Sequence, residues 1–385
     1  MLKIAFIGVP ILSGGYTHYC SLKEYLPHYN FTLIGLGVRD SSMDLQDDSF
    51  INIGVEFSKV NNQRELANRL ISYLINNKFD ILFPNNSPIA ISCIPFLPNH
   101  IKIIQKVNSD TPRVYKYVIT NLEYVSQIIC ISPIQLEKLT EKYPEALSKL
   151  KLIPHGVDMG LATNRNINVD KHRLQIGFLG RIHNGHKRVF IIPEILKNLT
   201  IEYDFHIVGD GPDKSALLSL LDKNKISYKY HGFIENKNLE PIISLWDIML
   251  FPSIVEGFGL TLIETMKYGV IPIANRLEGI TDYIIEEGQS GFLVDKNSIS
   301  IYANIIERLS NNYQLLLDMK QGVILRVKNK FDVLKISEEY DRVIKQSMLF
   351  KKPPRKSLSE WSPYIEYRPS ILQRIINKVK IFFKI

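Results

Sequence analysis

The sequence feature that most constrains the fold is an alternation of short apolar runs with amphipathic segments, which occurs twice along the chain. Apolar runs such as 2–8 (LKIAFIG) and 79–84 (FDILFP) flank segments with helical spacing, such as 64–75. Continuous apolar runs that alternate with helices are typical of parallel strands covered on both faces by crossover helices. The pattern therefore predicts the α/β class with doubly wound sheets.

This alternation is interrupted once and then begins again, which predicts two domains. The segment 159–173 is polar, and the next apolar run begins at 174–180. A chain of 385 residues also fits two domains at roughly 100–200 residues each. We predict a first domain over 1–160, a second over 161–345 and a tail over 346–385.

Positive charge is concentrated at the end of the chain. Of the net charge of +8, residues 351–385 contribute +7, because they hold nine Lys or Arg and two Glu. The remaining body is nearly neutral, whereas nucleic-acid binding usually needs a basic face on the body itself. We therefore expect no nucleic-acid partner.

Targeting signals are not evident in the sequence. The amino-terminal run 1–12 lacks a basic region followed by a cleavage site, so it is interpreted as a first strand. No apolar stretch reaches the ~18–20 residues of a spanning helix. The three cysteines are widely spaced and odd in number, as expected of free thiols in a reducing compartment. The prediction is a cytoplasmic protein, or one attached to the inner face of the membrane.

A glycine-rich turn in the second half predicts a binding site for an anion. Within 251–274, a strand should end before Gly257, Phe258 and Gly259, and a helix should start at Leu260. Unpaired backbone N–H groups and the helix dipole attract anions at such a start, and glycine lets the backbone approach the ligand.

A glutamate lies on each side of that turn. Glu256 precedes it and Glu264 follows it on the helix. Carboxylates near an anion site need hydrogen bonds from a hydroxyl-rich ligand, such as a sugar or a ribose. The alternative is an ordinary strand-to-helix turn with two solvated glutamates.

Two cations follow the first strand of the second half. Arg181 and Lys187 lie in 178–187 (FLGRIHNGHK). Fixed cations can stabilise the charge that develops on a departing diphosphate, much as a metal ion would. No Asp-x-Asp pair with apolar flanks is present, which favours metal-independent chemistry. The alternative is a basic pair on the surface.

Together these segments resemble the retaining family 4 glycosyltransferases, which have the GT-B fold. Glu256 and Glu264 match the E-x7-E motif of that family. The segments 153–158, 178–187 and 206–214 resemble its other motifs in order and spacing. The resemblance implies two Rossmann-like domains that face a central cleft. It also implies transfer of a sugar from a nucleotide-diphosphate sugar to an acceptor hydroxyl with retention of anomeric configuration.

The resemblance also implies donor contacts. Glu264 should hold the ribose hydroxyls, and Glu256 should lie near the donor sugar ring. The backbone of 257–260 should touch the sugar or phosphates, and the base should lie near 232–234. No metal or organic cofactor is implied, since the nucleotide-diphosphate sugar is a co-substrate.

In the first domain, Gly14 and Gly15 resemble the family's glycine pair that approaches the diphosphate and acceptor. Many relatives carry a histidine near the reacting carbon, but here the corresponding region is 106–113 (KVNSDTPR). Asn108 and Asp110 remain alternative acceptor-side residues.

We hypothesise that Arg181, Lys187 and Glu256 act by positioning and charge, and not by proton transfer, as in the scheme usually given for this family. The acceptor attacks on the face from which the diphosphate leaves, and the leaving oxygen takes its proton.

The end of the tail predicts a basic amphipathic helix. Over 370–385, apolar residues recur at helical spacing with Lys and Arg on or beside the other face. Such a helix can lie in an anionic membrane interface, and the acceptor would then be a lipid-linked glycan of cell-surface polysaccharide or glycolipid synthesis. The alternative is a helix packed on the first domain.

Other classes fit less well. No G-x-G-x-x-G follows the first strand, as a dehydrogenase would need, and no G-x-x-x-x-G-K-[ST] is present for a P-loop kinase. Two readings with the same fold stay open: a non-catalytic sugar-nucleotide-binding subunit of a glycan assembly complex, and a nucleotide-sugar epimerase.

Overall fold

The structure is a computed structural model. It describes residues 1–11, 13–37, 46–55, 63–160, 173–235, 238–295 and 298–363.

The first half of the chain forms a parallel sheet that has seven strands in the described residues. The strand order is β3-β2-β1-β4-β5-β6-β7. The strands are β1 (Lys3–Ile7), β2 (Asn30–Gly37), β3 (Phe50–Val55), β4 (Ile81–Phe83), β5 (Lys102–Val107), β6 (Gln127–Cys130) and β7 (Leu150–Leu152).

Helices cover both faces of this sheet. They are α1 (Gly14–Tyr25), α2 (Gln63–Asn76), α3 (Pro88–Cys93), α4 (Pro112–Ile119) and α5 (Pro133–Lys142), with 3-10 turns at Ile94–Phe96, Leu122–Tyr124 and Pro144–Lys149. Ser13, Ser87 and Thr111 begin three of these helices, because each side-chain oxygen accepts a hydrogen bond from a backbone N–H of the first turn.

The second half forms a parallel sheet with the order β10-β9-β8-β11-β12-β13. The strands are β8 (Leu174–Leu179), β9 (Tyr203–Val208), β10 (Tyr228–Gly232), β11 (Ile248–Phe251), β12 (Ile271–Asn275) and β13 (Phe292–Val294). The helices are α6 (Asn184–Lys187), α7 (Ile191–Leu196), α8 (Lys214–Lys223), α9 (Glu240–Ile243), α10 (Leu260–Met266), α11 (Thr281–Ile284), α12 (Ile299–Asn311), α13 (Tyr313–Lys330) and α14 (Val333–Met348). No helix in the described ranges combines the length and apolar character needed to cross a bilayer.

Both sheets are doubly wound, and each has one point where the direction of winding reverses. The chain runs outward through β1, β2 and β3 and then returns to the other side of β1, and it repeats this path from β8. Open α/β sheets bind ligands outside the carboxyl ends of the strands at such a switch point. The predicted fold, two Rossmann-like domains of the GT-B type, is confirmed.

Helix α14 packs on the sheet of the first domain. The predicted second domain ends at 345 and so includes most of α14. In the structure, Ile336, Tyr340 and Ile344 of α14 pack in one buried cluster with Ile4 and Phe6 of the first sheet. The apolar periodicity predicts a helix, but it does not say which sheet the apolar stripe will cover. The other predicted boundary, between 160 and 161, adjoins 161–172, which lies outside the described residues.

After α14, residues 349–363 run along the first domain, and we call this segment the strap. The buried Lys352 ammonium donates to the carbonyls of Leu97, Pro98 and Ile101. Trp361 is 8% exposed, packs in the first-domain core and donates through Nε1 to the Ser92 hydroxyl at 3.2 Å. The predicted helix at 370–385 lies outside the described residues.

Trp361→Ala should lower the free energy of unfolding by about 3 kcal/mol, because it empties a buried aromatic site. Leu358→Ala, at an exposed position of the same strap, should change it by less than about 0.5 kcal/mol. Urea denaturation followed by circular dichroism measures both. Equal midpoints for the two variants would show that the strap does not contribute to the fold.

Candidate functional site

The two domains touch where the carboxyl ends of their sheets meet. A Cβ placed on Gly257, after β11, would lie 2.8 Å from the backbone oxygen of Asn108, after β5. Gln135 Nε2 also donates to the Gly257 carbonyl at 3.3 Å. This contact leaves no room for a side chain, so glycine is required at 257 for the domains to approach this closely.

The predicted strand–turn–helix at the motif is present. Gly259 has φ of 100° and is the N-cap of α10, a conformation that favours glycine. Phe258 is buried between the rings of His155 and Phe331, at 5.4 and 5.9 Å between centroids. The backbone of 257–260 is therefore held in place by packing on both sides.

The structure pairs two of the predicted site residues with each other. Lys187 Nζ lies 2.5 Å from Glu256 Oε1, and their side chains are 18% and 12% exposed. Lys187 also lies over the Phe251 ring, 5.0 Å from its centroid. Low exposure strengthens an ion pair relative to one in water. A cation predicted to act on phosphate and a carboxylate predicted to act on sugar thus neutralise each other here.

The loop that carries Arg181 is held by the glycine-rich turn 206–214. A Cβ on Gly209 would lie 1.9 Å from the Gly180 oxygen, and one on Gly211 would lie 2.2 Å from the Ile182 oxygen. The two loops therefore pack backbone to backbone, with the Arg181 side chain exposed to solvent. The turn predicted from its glycines acts as a support for the cation-bearing loop.

Glu264 faces a large cavity between the domains. The cavity has a volume of about 720 Å³, within the range of small-molecule sites. It lies between α1 and α10, and its polar lining includes Thr17, Ser21, Asp158 and Lys267. Burial lowers the pKa of Lys267, whose ammonium donates to the Asp158 carbonyl at 2.9 Å.

Glu256 lines a different cavity, of about 650 Å³. The charged residues around it are Asp110, Lys138, Glu256, Arg276, Glu278 and Asp282. Gly257, which touches Asn108, lies between the two glutamates in the sequence.

The predicted glycine pair lies beside the same contact. Gly14 and Gly15 form the first turn of α1, and a Cβ on Gly15 would lie 3.6 Å from Asn85 Nδ2. Asn85 donates to the Ile7 carbonyl at 3.0 Å and accepts a short hydrogen bond from the Asn108 amide. Asn85 was missed by the sequence analysis, although an Asn pair directly after a strand is a usable signal of positive φ, which Asn85 has at 49°.

The two acceptor-side candidates have different surroundings. The Asp110 carboxylate accepts hydrogen bonds from Lys138 Nζ at 2.7 and 2.9 Å and from the Tyr115 hydroxyl. Asn108 lies at the domain contact itself. The Asn108 amide donates to Asn85, and Asp110 lines the cavity that contains Glu256, so the two residues remain alternatives.

A buried basic cluster near the junction was not predicted. Lys106 is 2% exposed, and burial lowers its pKa to about 7. The rings of His18 and His155 lie 5.3 Å apart, and burial, followed by the charge of Lys106, lowers the pKa of each. His155 contacts Phe258 as described above, so the cluster supports the glycine-rich turn from the first domain. Its members lie in three distant segments, and no local pattern indicates it.

The expected base site has a matching backbone feature. Gly232 has φ of 71°, and Phe233 beyond it is 53% exposed. Glu235 and Leu239, a few residues further, line the cavity that contains Glu264.

Comparison with known proteins identifies the class of the second domain. Residues 162–325 match the family model of glycosyl transferases group 1. The match lies in the second half of the chain, and the resemblance to glycosyltransferases of the GT-B fold is confirmed.

Individual relatives agree with this assignment. The N-acetyl-alpha-D-glucosaminyl L-malate synthase of Bacillus anthracis is 28% identical over 41% of this chain and 42% of its own length. The UDP-Gal:alpha-D-GlcNAc-diphosphoundecaprenol alpha-1,3-galactosyltransferase of Escherichia coli is 22% identical over 87% of this chain and 94% of its own length. Among the first relatives, the chain spans about half of the relative's length or less, from 24% to 53%.

The fold has close counterparts among solved structures. The Anabaena protein HepE in complex with UDP and glucose superimposes with a TM-score of 0.73 over 90% of this chain and all of its own, at 14% identity. At this identity the likeness concerns the fold alone.

Gly257→Ala should separate the domains, because its Cβ would lie 2.8 Å from the Asn108 oxygen. We expect a larger radius of gyration in small-angle X-ray scattering, and a loss of stability of about 1–3 kcal/mol. Gly14→Ala is the control, since a Cβ there meets no atom within 4 Å. An unchanged radius for Gly257→Ala would mean that the contact is not a constraint on domain approach.

Proposed function

We propose that this protein transfers a sugar from a nucleotide-diphosphate sugar to an acceptor hydroxyl, with retention of configuration, in the synthesis of cell-surface polysaccharide or glycolipid. The observation that carries the proposal is the arrangement around the glycine-rich turn. Glu256 and Glu264 flank a turn with positive φ at Gly259, and Glu264 faces a cavity of about 720 Å³. The group 1 glycosyl transferase match over 162–325 supports the same class.

The donor would lie with its ribose on Glu264 and its diphosphate beside Arg181 and Lys187. A carboxylate accepts hydrogen bonds from both ribose hydroxyls, and the backbone N–H groups at the start of α10 add positive potential for the phosphates. Because the HepE structure contains UDP and glucose, a uridine nucleotide is the first donor to test.

Donor binding would rearrange the ion pair. Lys187 is held by Glu256 at 2.5 Å, so a diphosphate that binds Lys187 competes with that carboxylate. Glu256 would then be available for hydrogen bonds from the hydroxyls of the donor sugar. In this scheme, the ion pair holds the Lys187 and Glu256 side chains in position for the donor.

The transfer step needs no proton-accepting side chain. The bond from the anomeric carbon to the diphosphate oxygen breaks, and the bond to the acceptor oxygen forms on the same face. The acceptor proton passes to the departing diphosphate oxygen. Arg181 and Lys187 stabilise the negative charge on that oxygen, so the proposed reaction requires no metal ion or organic cofactor.

The acceptor is proposed to be a glycan linked to a membrane lipid. The relative from Escherichia coli is named for an acceptor on diphosphoundecaprenol. The basic, apolar sequence of 370–385 is suited to an anionic membrane surface, and the cytoplasmic face of the membrane is the proposed location.

A nucleoside diphosphate should stabilise the protein against unfolding. At 100 times its Kd it should add about 2.7 kcal/mol, and Glu264→Ala should lose most of this gain because the ribose contact is removed. UDP, GDP and ADP are compared by thermal unfolding, with Glu278→Ala in the other cavity as control. No stabilisation by any of the three would contradict the proposed donor class. Binding without sugar transfer would instead favour a non-catalytic subunit.

Lys187→Met should lower kcat by about 10²–10³, because a cation beside the departing diphosphate is lost. Lys197→Met is the matched control, since its ammonium pairs with Glu194 at an exposed position of the same domain. Transfer is followed with a radiolabelled donor sugar in the presence of EDTA. Equal rates for the two variants, or complete loss of transfer in EDTA, would contradict the charge-stabilisation scheme.

A further inference from the structure

The strap exposes an unusual set of side chains on the outer surface of the first domain. Lys351, Arg355 and Lys356 are exposed, and Leu349 and Leu358 are exposed at 81% and 43%. Cations and large apolar side chains are thus mixed along one short segment.

Hydrogen bonds hold the backbone of the strap on the first domain, so the fold determines which of its side chains are exposed. Besides Lys352 and Trp361, the Lys356 N–H donates to the Pro95 carbonyl at 2.9 Å. The Tyr124 hydroxyl donates to the Pro354 carbonyl at 3.3 Å. A segment anchored at this many points presents its other side chains to solvent in a fixed arrangement.

A neighbouring turn extends the same surface. Phe350 lies beside Lys149, whose ammonium is 4.6 Å from the ring centroid, and Leu147 in the same turn as Lys149 is 57% exposed. We call the following set the strap face: Leu147, Leu349, Lys351, Arg355, Lys356 and Leu358.

The strap carries three exposed cations and one carboxylate, Glu360, which accepts a hydrogen bond from the Ser357 N–H. Within the described ranges, no ion pair involves the side chains of Lys351, Arg355 or Lys356. The chain then continues beyond 363 with a further segment rich in Lys, Arg and apolar residues. Among the described residues, positive charge and exposed apolar groups therefore adjoin along the strap.

We propose that the strap face docks on an anionic lipid bilayer. Lys and Arg near an anionic leaflet gain electrostatic energy, and exposed leucines among them can enter the interfacial region. An acidic protein partner would contact the same cations and leucines, and binding to protein-free vesicles distinguishes the bilayer from such a partner. The bilayer accounts for both features.

This face would make membrane contact independent of the predicted helix at 370–385. A contact through an anchored segment fixes the orientation of the first domain relative to the bilayer, whereas a terminal helix alone leaves it free to rotate. The inference does not depend on the proposed sugar transfer, since it concerns a surface outside the cleft.

The full-length protein is tested by flotation with vesicles of phosphatidylglycerol and phosphatidylcholine. The variant with Lys351→Glu, Arg355→Glu and Lys356→Glu is compared with a control that carries Lys223→Glu, Lys225→Glu and Lys229→Glu, all exposed in the second domain. Both triple variants change the net charge equally. We expect the strap variant to lower the partition coefficient at least tenfold and the control to lower it less than twofold.

Equal losses in the two triple variants would overturn the proposal, as would equal binding to pure phosphatidylcholine or no binding at all. A single variant, Leu349→Ser, tests the apolar part without a change of charge, and we expect a fall of about threefold. Stabilisation by nucleoside diphosphate, measured on the same samples, should be unchanged. This separates a failure of the docking face from a failure of the proposed function.

Discussion

The contact between Gly257 and Asn108 is the constraint on which the rest of the site depends. It joins the carboxyl ends of β11 and β5 with no space for a Cβ, so the two sheets approach as closely as their backbones allow. The glycine-rich turn is thereby placed against the first domain, near Gly15 and Asn85, while Phe258 packs on His155. Glu256 and Glu264 lie on the segments that flank this contact, and each lines a cavity.

The ion pair between Lys187 and Glu256 balances the charge at this site. Both side chains are largely buried, so neither charge is well solvated when its partner is withdrawn. A diphosphate can replace the carboxylate on Lys187, and sugar hydroxyls can replace the ammonium on Glu256. The charges of the ion pair therefore balance each other. A nucleotide-diphosphate sugar carries an anion and hydroxyls on one molecule, so it is suited to replace both partners of the pair.

Much of the fold and part of the site follow from local sequence patterns. Apolar runs at a regular rhythm predict both sheets, and the glycines of 251–274 predict the strand–turn–helix that carries Glu256 and Glu264. Contacts between distant residues do not follow from such patterns. The apolar stripe of α14 does not reveal that it covers the first sheet. Similarly, nothing near Lys187 indicates that Glu256, 69 residues away, is its partner.

The most direct test of the account is a crystal structure of the protein with an intact nucleotide-diphosphate sugar. The account predicts ribose hydroxyls on Glu264, the diphosphate beside Lys187 and Arg181, and the sugar beside Glu256. It also predicts a Lys187–Glu256 distance longer than the 2.5 Å of the present structure. A nucleotide bound elsewhere, or one that leaves the Lys187–Glu256 pair intact with the diphosphate far from both cations, would contradict it.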